Sequence, residues 1–176
     1  MITIIRNAEV YAPEYLGKKD VLLLGSKIAA VDEHVSFNIN GPVEVSEIDA
    51  GGKALIPGFI DSHSHIQGGG GEGGFSTRTP EAVLTDFTTA GVTTVVGCLG
   101  TDGTARDMVS LLAKARGLEE EGITTYIYTG SYRIPVKTIT GEIMKDIMVI
   151  DKVIGIGEIA VSDHRSSQPA FEEFVR

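Results

Sequence analysis

Apolar and polar positions alternate over ITIIRNAEVY, and the same two-residue rhythm returns in DVLLLG, KIAAVDEHV and VEVSEID. Residues 2–50 therefore predict short β-strands. Gly25-Ser26 supplies a tight hairpin turn, since glycine tolerates the positive φ that such turns need. Past Gly51-Gly52 the rhythm changes. ALIPGFID is an apolar strand, TPEAVLTDFTTAG is helical, VTTVVGCLG is a second strand, and TARDMVSLLAKARGLEEEG is a longer helix. ITTYIYTG makes a third strand, followed by a loop through Pro135, a short helix near GEIMKDIM, and a fourth strand, KVIGIGEIAVSD. Strands alternating with helices predict parallel βαβ units. The near-continuous apolar character of VTTVVG and KVIGIG suits strands covered on both faces.

The expected division is a small β subdomain of sandwich type over residues 1–52 and an α/β region over residues 53–176. About four βα units are half of a (β/α)8 barrel, so the expected fold class is α/β, the N-terminal part of a TIM-like barrel. PAFEEFVR begins another helix: Pro169 suits its first turn, and Glu172 and Glu173 suit the positive end of the helix dipole. A half barrel leaves an apolar strand edge unpaired. The chain is accordingly expected to be the N-terminal part of a longer protein, the rival being a complete small α/β domain.

Charge narrows the function. Lys and Arg number 15 against 24 Asp and Glu, for a net charge of -9, and no basic cluster offers a footprint for nucleic acid. Cys98 is the only cysteine, which excludes an intrachain disulfide and agrees with a reducing cytoplasm. The N-terminus lacks the pattern of a signal peptide, and no apolar run approaches the ~18 residues of a membrane span. A soluble cytoplasmic protein with no membrane partner is expected.

The chemistry concentrates in DSHSH, where His63 and His65 are two residues apart on an extended strand and project to one side. Two imidazoles there can meet one divalent ion of zinc's class. The plainer alternative is a pair of surface histidines near a turn. Other polar candidates follow strands in the same way: Thr101 and Asp102 after the second, Tyr132 after the third, and Glu158, Asp163, His164 and Arg165 at or after the fourth. Barrel enzymes gather functional residues on that face. The glycine run 68–71 has no GK[ST] after it, which argues against a phosphate loop. Plainer roles exist here too: Glu72 as a solvated charge, Arg165 in a local salt bridge with Asp163, Tyr132 capping the core, and Asp102 as turn or cap chemistry.

GKALIPGFIDSHSH resembles the signature of the metal-dependent amidohydrolase superfamily. GGGGE, TRTPE, AGVTTVVGCLGTD, TGSYRIP and SDHR resemble, in that order, the isoaspartyl (β-aspartyl) dipeptidase family within it. The resemblance implies a (β/α)8 enzyme with two divalent metal ions, zinc in kind, that hydrolyses dipeptides joined through an aspartate side chain by a metal-bound hydroxide. It makes His63 and His65 metal ligands, Glu72 the partner of the substrate α-amino group, and Gly70 and Thr101 lining of the same pocket. It makes Tyr132 the catalytic group that polarises the scissile carbonyl, and Arg165 the grip on a substrate carboxylate. It also implies a homo-oligomer, and a general base and further histidine ligands outside these 176 residues, which alone are expected to be inactive.

The chain departs from the pattern at one position. Many members bridge their metals with a carbamylated lysine at the end of the fourth strand, and the spacing back from SDHR puts Glu158 there. Lys152 lies six residues earlier, about 20 Å along a strand, beyond any side chain's reach. A carboxylate offers the same two-oxygen bridge, so Glu158 is expected as a metal ligand; otherwise it is a rim carboxylate that pairs with Arg165. Competing functions are a dihydroorotase- or hydantoinase-like hydrolase of cyclic amides, an N-acyl amidohydrolase, and a non-catalytic scaffold of the same fold.

Overall fold

The first alternating segment forms β1 (Ile2–Tyr11), which pairs antiparallel with β2 (Tyr15–Leu24), itself antiparallel to β3 (Lys27–Asp32). Two further strands, β4 (Val45–Asp49) and β5 (Ala54–Leu55), run parallel to β1 and pair with its Ile2–Arg6 and Glu9–Val10 stretches. The computed structural model describes residues 1–38 and 40–175, in two compact units, Met1–Pro57 and Gly58–Arg176. The first unit is this one mixed sheet, ordered β3-β2-β1-β4 with β5 also on β1. β2 starts at Tyr15 rather than at the apolar run from Asp20, because Lys18 and Lys19 join the ladder opposite Glu9 and Ala8. Ladder bonds use the backbone and need no apolar side chain there.

The β1–β2 register slips between Ile5 and Ala8, where Asn7 takes a φ of 56°. Asn tolerates that left-handed conformation better than most residues. Buried Asp20 secures the slip by accepting from the Asn7 amide (3.1 Å), the Val35 amide (3.2 Å) and the Arg6 guanidinium (2.7 Å). Burial pushes its carboxyl up, but these donors outweigh it and hold Asp20 below the usual carboxylate range.

In the second unit the expected strand ALIPGFID is divided. Pro57 has no N–H to give a ladder. Ala54–Leu55 therefore stays with the first sheet, and β6 (Phe59–Ser64) begins the second. After it come α1 (Leu84–Thr88), β7 (Val92–Gly97), α2 (Met108–Glu121), β8 (Thr124–Thr129), α3 (Ile143–Val149), β9 (Val153–Ile156) and α4 (Phe171–Phe174). The strands pair in the order β6-β7-β8-β9, all parallel. This is an α/β architecture of successive βα units around a four-stranded parallel sheet. Among the described residues no helix is long and apolar enough to cross a membrane.

Helix α2 shows why the core sits where it does. Met108, Leu111, Ala115 and Leu118 recur at helical spacing, are buried, and pack with Val95, Ile127 and Val153 of the sheet. Burial of each leucine contributes roughly 2 kcal/mol. The helix begins later than TARDMV suggests because Asp107 caps it, accepting from the Ser110 amide at 2.8 Å. The fourth strand also ends early. From Gly157 the chain leaves the ladder, keeping bonds from Gly157 to the Thr129 carbonyl and from Ala160 to the Tyr132 carbonyl.

Asp146 of α3 is fully buried and has no cation beside it among the described residues. Its carboxylate accepts from the hydroxyls of Thr129 (2.5 Å) and Thr140 (2.7 Å) and from the amides of Ile139 (2.9 Å) and Thr140 (2.8 Å). Burial pushes the carboxyl up, yet the Thr129 and Thr140 bonds and the amides hold it below its ordinary value. The group thus ties the end of β8 to the loop that follows it. Asp146→Ala should cost about 3 kcal/mol in urea denaturation, since it leaves buried donors unpaired. A carboxyl depressed in the folded state contributes fully above its unfolded value of about 3.9 and loses that contribution as pH falls through the folded value. The stability gap between wild type and Asp146→Asn should shrink on acidification, and a gap constant through the acid range would contradict this account.

Candidate active site

Parallel pairing brings the carboxyl ends of β6, β7, β8 and β9 to one rim. His63 lies in β6 and His65 just beyond it, with ring centroids 5.6 Å apart. Glu158, two residues past β9, meets both: its Oε2 is 2.6 Å from Nε2 of His63, and its Oε1 is 3.4 Å from Nε2 of His65. Each carboxylate oxygen serves a different imidazole. Buried Cys98, one residue beyond β7, completes a group whose donor atoms all lie within 4.8 Å of one another. Burial, and then the charge of Glu158, push its thiol up to about 12, so it is neutral at ordinary pH. The two imidazoles and the carboxylate together fit a divalent ion of zinc's class, with the neutral thiol beside them. A cleft of about 1030 Å³ opens beside His63, Cys98 and Glu158.

Backbone packing holds the imidazole of His65. Gly100, with φ of +65°, approaches it so closely that a Cβ there would fall 2.6 Å from Cε1. The same Gly100 accepts from the Tyr132 amide at 3.1 Å, which links the histidines to the second polar group.

That second group contains the other candidates. The loop after β6 doubles back, Gly70 bridging Arg78, and carries Glu72 at its turn. Gly70 has φ of +72°, and a Cβ there would meet the Thr77 carbonyl at 2.5 Å, which explains part of the glycine run. Glu72 Oε1 accepts from Arg165 Nη1 at 2.7 Å and from the Thr101 hydroxyl at 3.3 Å. Arg165 also grips Asp163 through Nε (2.9 Å) and Nη2 (3.1 Å), and its Nη2 lies 3.4 Å from the Tyr132 hydroxyl. Its bond to Asp163, and next that to Glu72, raise the guanidinium further above its usual value. Its bonds in turn hold both carboxyls below the ordinary range. Glu72, Thr101 and Arg165 line a pocket of about 340 Å³ together with Gly70, Arg78 and Arg133.

Among the described residues the ion pairs of Glu158 are with the two histidines, and those of Arg165 are with Asp163 and Glu72. The expected local pair of Arg165 and Asp163 therefore exists alongside the contact with Glu72. Asp102 performs the turn chemistry read from its sequence, accepting from the Thr104 and Ala105 amides, and also pairs with Arg78 and Arg106. His164 and His34 are exposed. Lys152 is buried away from the rim, bonded to Glu119 and to the Thr125 carbonyl. Cys98, Arg78 and Arg133 were not marked as site residues by the sequence. For Cys98 the signal was present: it directly follows an apolar strand, as the histidines do.

The sequence pattern described as the amidohydrolase family matches residues 46–115. A dihydroorotase of Elusimicrobium minutum is 38% identical over 90 residues, covering 49% of this chain and 20% of its own. A β-aspartyl dipeptidase of the thermophilic, keratin-degrading Fervidobacterium islandicum AW-1 superposes with a TM-score of 0.89 at 58% identity, over 99% of this chain and 47% of that one. The same enzyme in complex with β-Asp-Leu dipeptide gives 0.88 at 58% identity, over 99% and 45%. The chain thus spans about half the length of these dipeptidases. In sequence and fold the chain is thus similar over nearly its whole length to β-aspartyl dipeptidases, and its residues 46–115 carry the amidohydrolase family pattern.

Proposed function

We propose that the protein carrying this chain hydrolyses β-aspartyl dipeptides with the aid of two divalent metal ions, zinc in kind. The observation that carries this reading is the division of Glu158 between His63 and His65, beside a pocket holding Glu72, Thr101 and Arg165. It gains support from the 58% identity to an enzyme whose structure contains β-Asp-Leu. His63 and His65 would hold one ion, and Glu158 would join it to the second. Such ions lower the pKa of water and polarise a carbonyl.

The remaining work falls to the chain's own groups. Glu72, kept ionised by Arg165, suits the substrate's α-ammonium, with Gly70 and Thr101 beside it. The guanidinium fork of Arg165 suits a substrate carboxylate. The Glu72–Arg165 pair is thus exchanged for two substrate contacts of the same charges, so neither group is left unpaired. The phenol of Tyr132 donates to the scissile oxygen as negative charge develops there.

The native protein should turn over β-Asp-Leu in preference to α-Asp-Leu and cyclic amides; absence of β-dipeptide turnover would refute the assignment. Anomalous scattering should find two ions flanking Glu158, and one ion alone, or a Glu158 turned away, would exclude its bridging role. Gly100→Ala should push the His65 ring aside and lower bound zinc, measured by elemental analysis, while leaving the circular dichroism unchanged. Undiminished zinc in that variant would show that His65 is not a ligand.

A further inference from the structure

Asn40-Gly41 lies in the segment that joins β3, ending at Asp32, to β4, starting at Val45. Asn40 is exposed, and among the described residues neither its side-chain amide nor the Gly41 amide has a hydrogen-bond partner. Gly41 takes a φ of +150°, and a Cβ there would meet nothing within 4 Å. The side-chain carbonyl of Asn40 thus faces a backbone nitrogen that no bond engages and no side chain screens. Similar pairs elsewhere are closed. The carboxylate of Asp102, before Gly103, accepts from the Thr104 (3.2 Å) and Ala105 (2.8 Å) amides and pairs with Arg78 and Arg106. A Cβ on Gly103 would fall 2.6 Å from Ser131 Oγ, so that turn has no room to rearrange. Asn7 lies in β1 with its side chain donating to Asp49 at 3.1 Å, and Asn38 precedes the β-branched Ile39.

We propose that Asn40 is a site of covalent self-modification, at which the Gly41 nitrogen attacks the Asn40 side-chain carbonyl carbon. The bond from the Gly41 nitrogen to Cγ forms, the Cγ–Nδ2 bond breaks, and ammonia leaves with the proton of the Gly41 amide. Water then opens the cyclic imide at either carbonyl. Opening at Cγ leaves an ordinary aspartate. Opening at the backbone carbonyl carbon leaves a chain that continues through the side chain, which is a β-aspartyl linkage. Either product puts a carboxylate where a neutral amide stood, in a chain whose net charge is already -9. The reaction needs water alone, so it stands apart from the metal site and from the proposed activity. The linkage formed is nevertheless of the class which that activity takes in dipeptides. In the intact chain Gly41 continues into Pro42, so the modified bond becomes a dipeptide only when the chain itself is digested.

The test incubates the native protein in mildly alkaline buffer beside a synthetic peptide of residues 36–44. Ammonia release, peptide mapping by mass, and enzymatic methylation of β-aspartyl carboxyls are followed over time. Asn40 should convert at a rate within about threefold of the peptide's, since the loop offers no bond that restrains it, with β-aspartyl product in both. Gly41→Ala should slow the conversion by about tenfold, because a Cβ crowds the attacking nitrogen, and Asn40→Gln should abolish it. Circular dichroism should show both variants folded, and Asp102 should stay unmodified throughout. An Asn40 that survives after the peptide has converted would overturn the proposal, as would a Gly41→Ala variant that reacts at the native rate. A product containing ordinary aspartate alone would overturn the β-aspartyl assignment. Whether the native protein cleaves β-Asp-Leu bears only on the dipeptidase reading, and leaves these outcomes unchanged.

Discussion

Because β6, β7, β8 and β9 run parallel, each delivers the residues that follow it to the same rim. That constraint is what turns separated stretches of sequence into one site. His63, Cys98, Tyr132 and Glu158 come from four different strand ends and have no local reason to meet. The ladder is in turn held by the apolar face of α2, whose Leu111 and Leu118 pack on Val95 and Ile127. Burial far from the rim thus fixes distances at the rim.

The rim is organised by charge as much as by packing. Arg165 binds Asp163 on its own loop and Glu72 on a loop 93 positions away, so a single guanidinium aligns the two segments. Arg106 does similar work on buried backbone, donating to the Gln67 and Thr79 carbonyls while it pairs with Asp102. Groups held this way are already oriented before a charged ligand arrives.

Much of this was legible in the sequence. The order of strands and helices follows from periodicity, and the meeting of His63 and His65 with Glu158 follows from their positions at strand ends. The boundaries were less legible, for particular reasons. Pro57 splits an apolar run that reads as one strand, Asp107 delays α2 by capping it, and β2 extends through lysines because ladder bonds ignore side-chain polarity. Long-range polar partners were hidden altogether. No spacing rule joins Asp146 to Thr129, or Arg165 to Glu72, because those contacts depend on tertiary placement.

Lys152 marks the other pole of the parallel sheet. Its ammonium is buried against Glu119, the Thr125 carbonyl and the face of Tyr126 at 5.6 Å, at the end of β9 opposite Glu158. A charge held in this way serves the fold, since its partners lie away from the rim that carries His63 and Glu158. The sheet therefore has one pole that holds the fold together and another whose loops carry the chemistry. Sequence drift in the rim loops can retune which molecule is accepted without disturbing the anchor beneath them, and this separation makes such a scaffold evolvable.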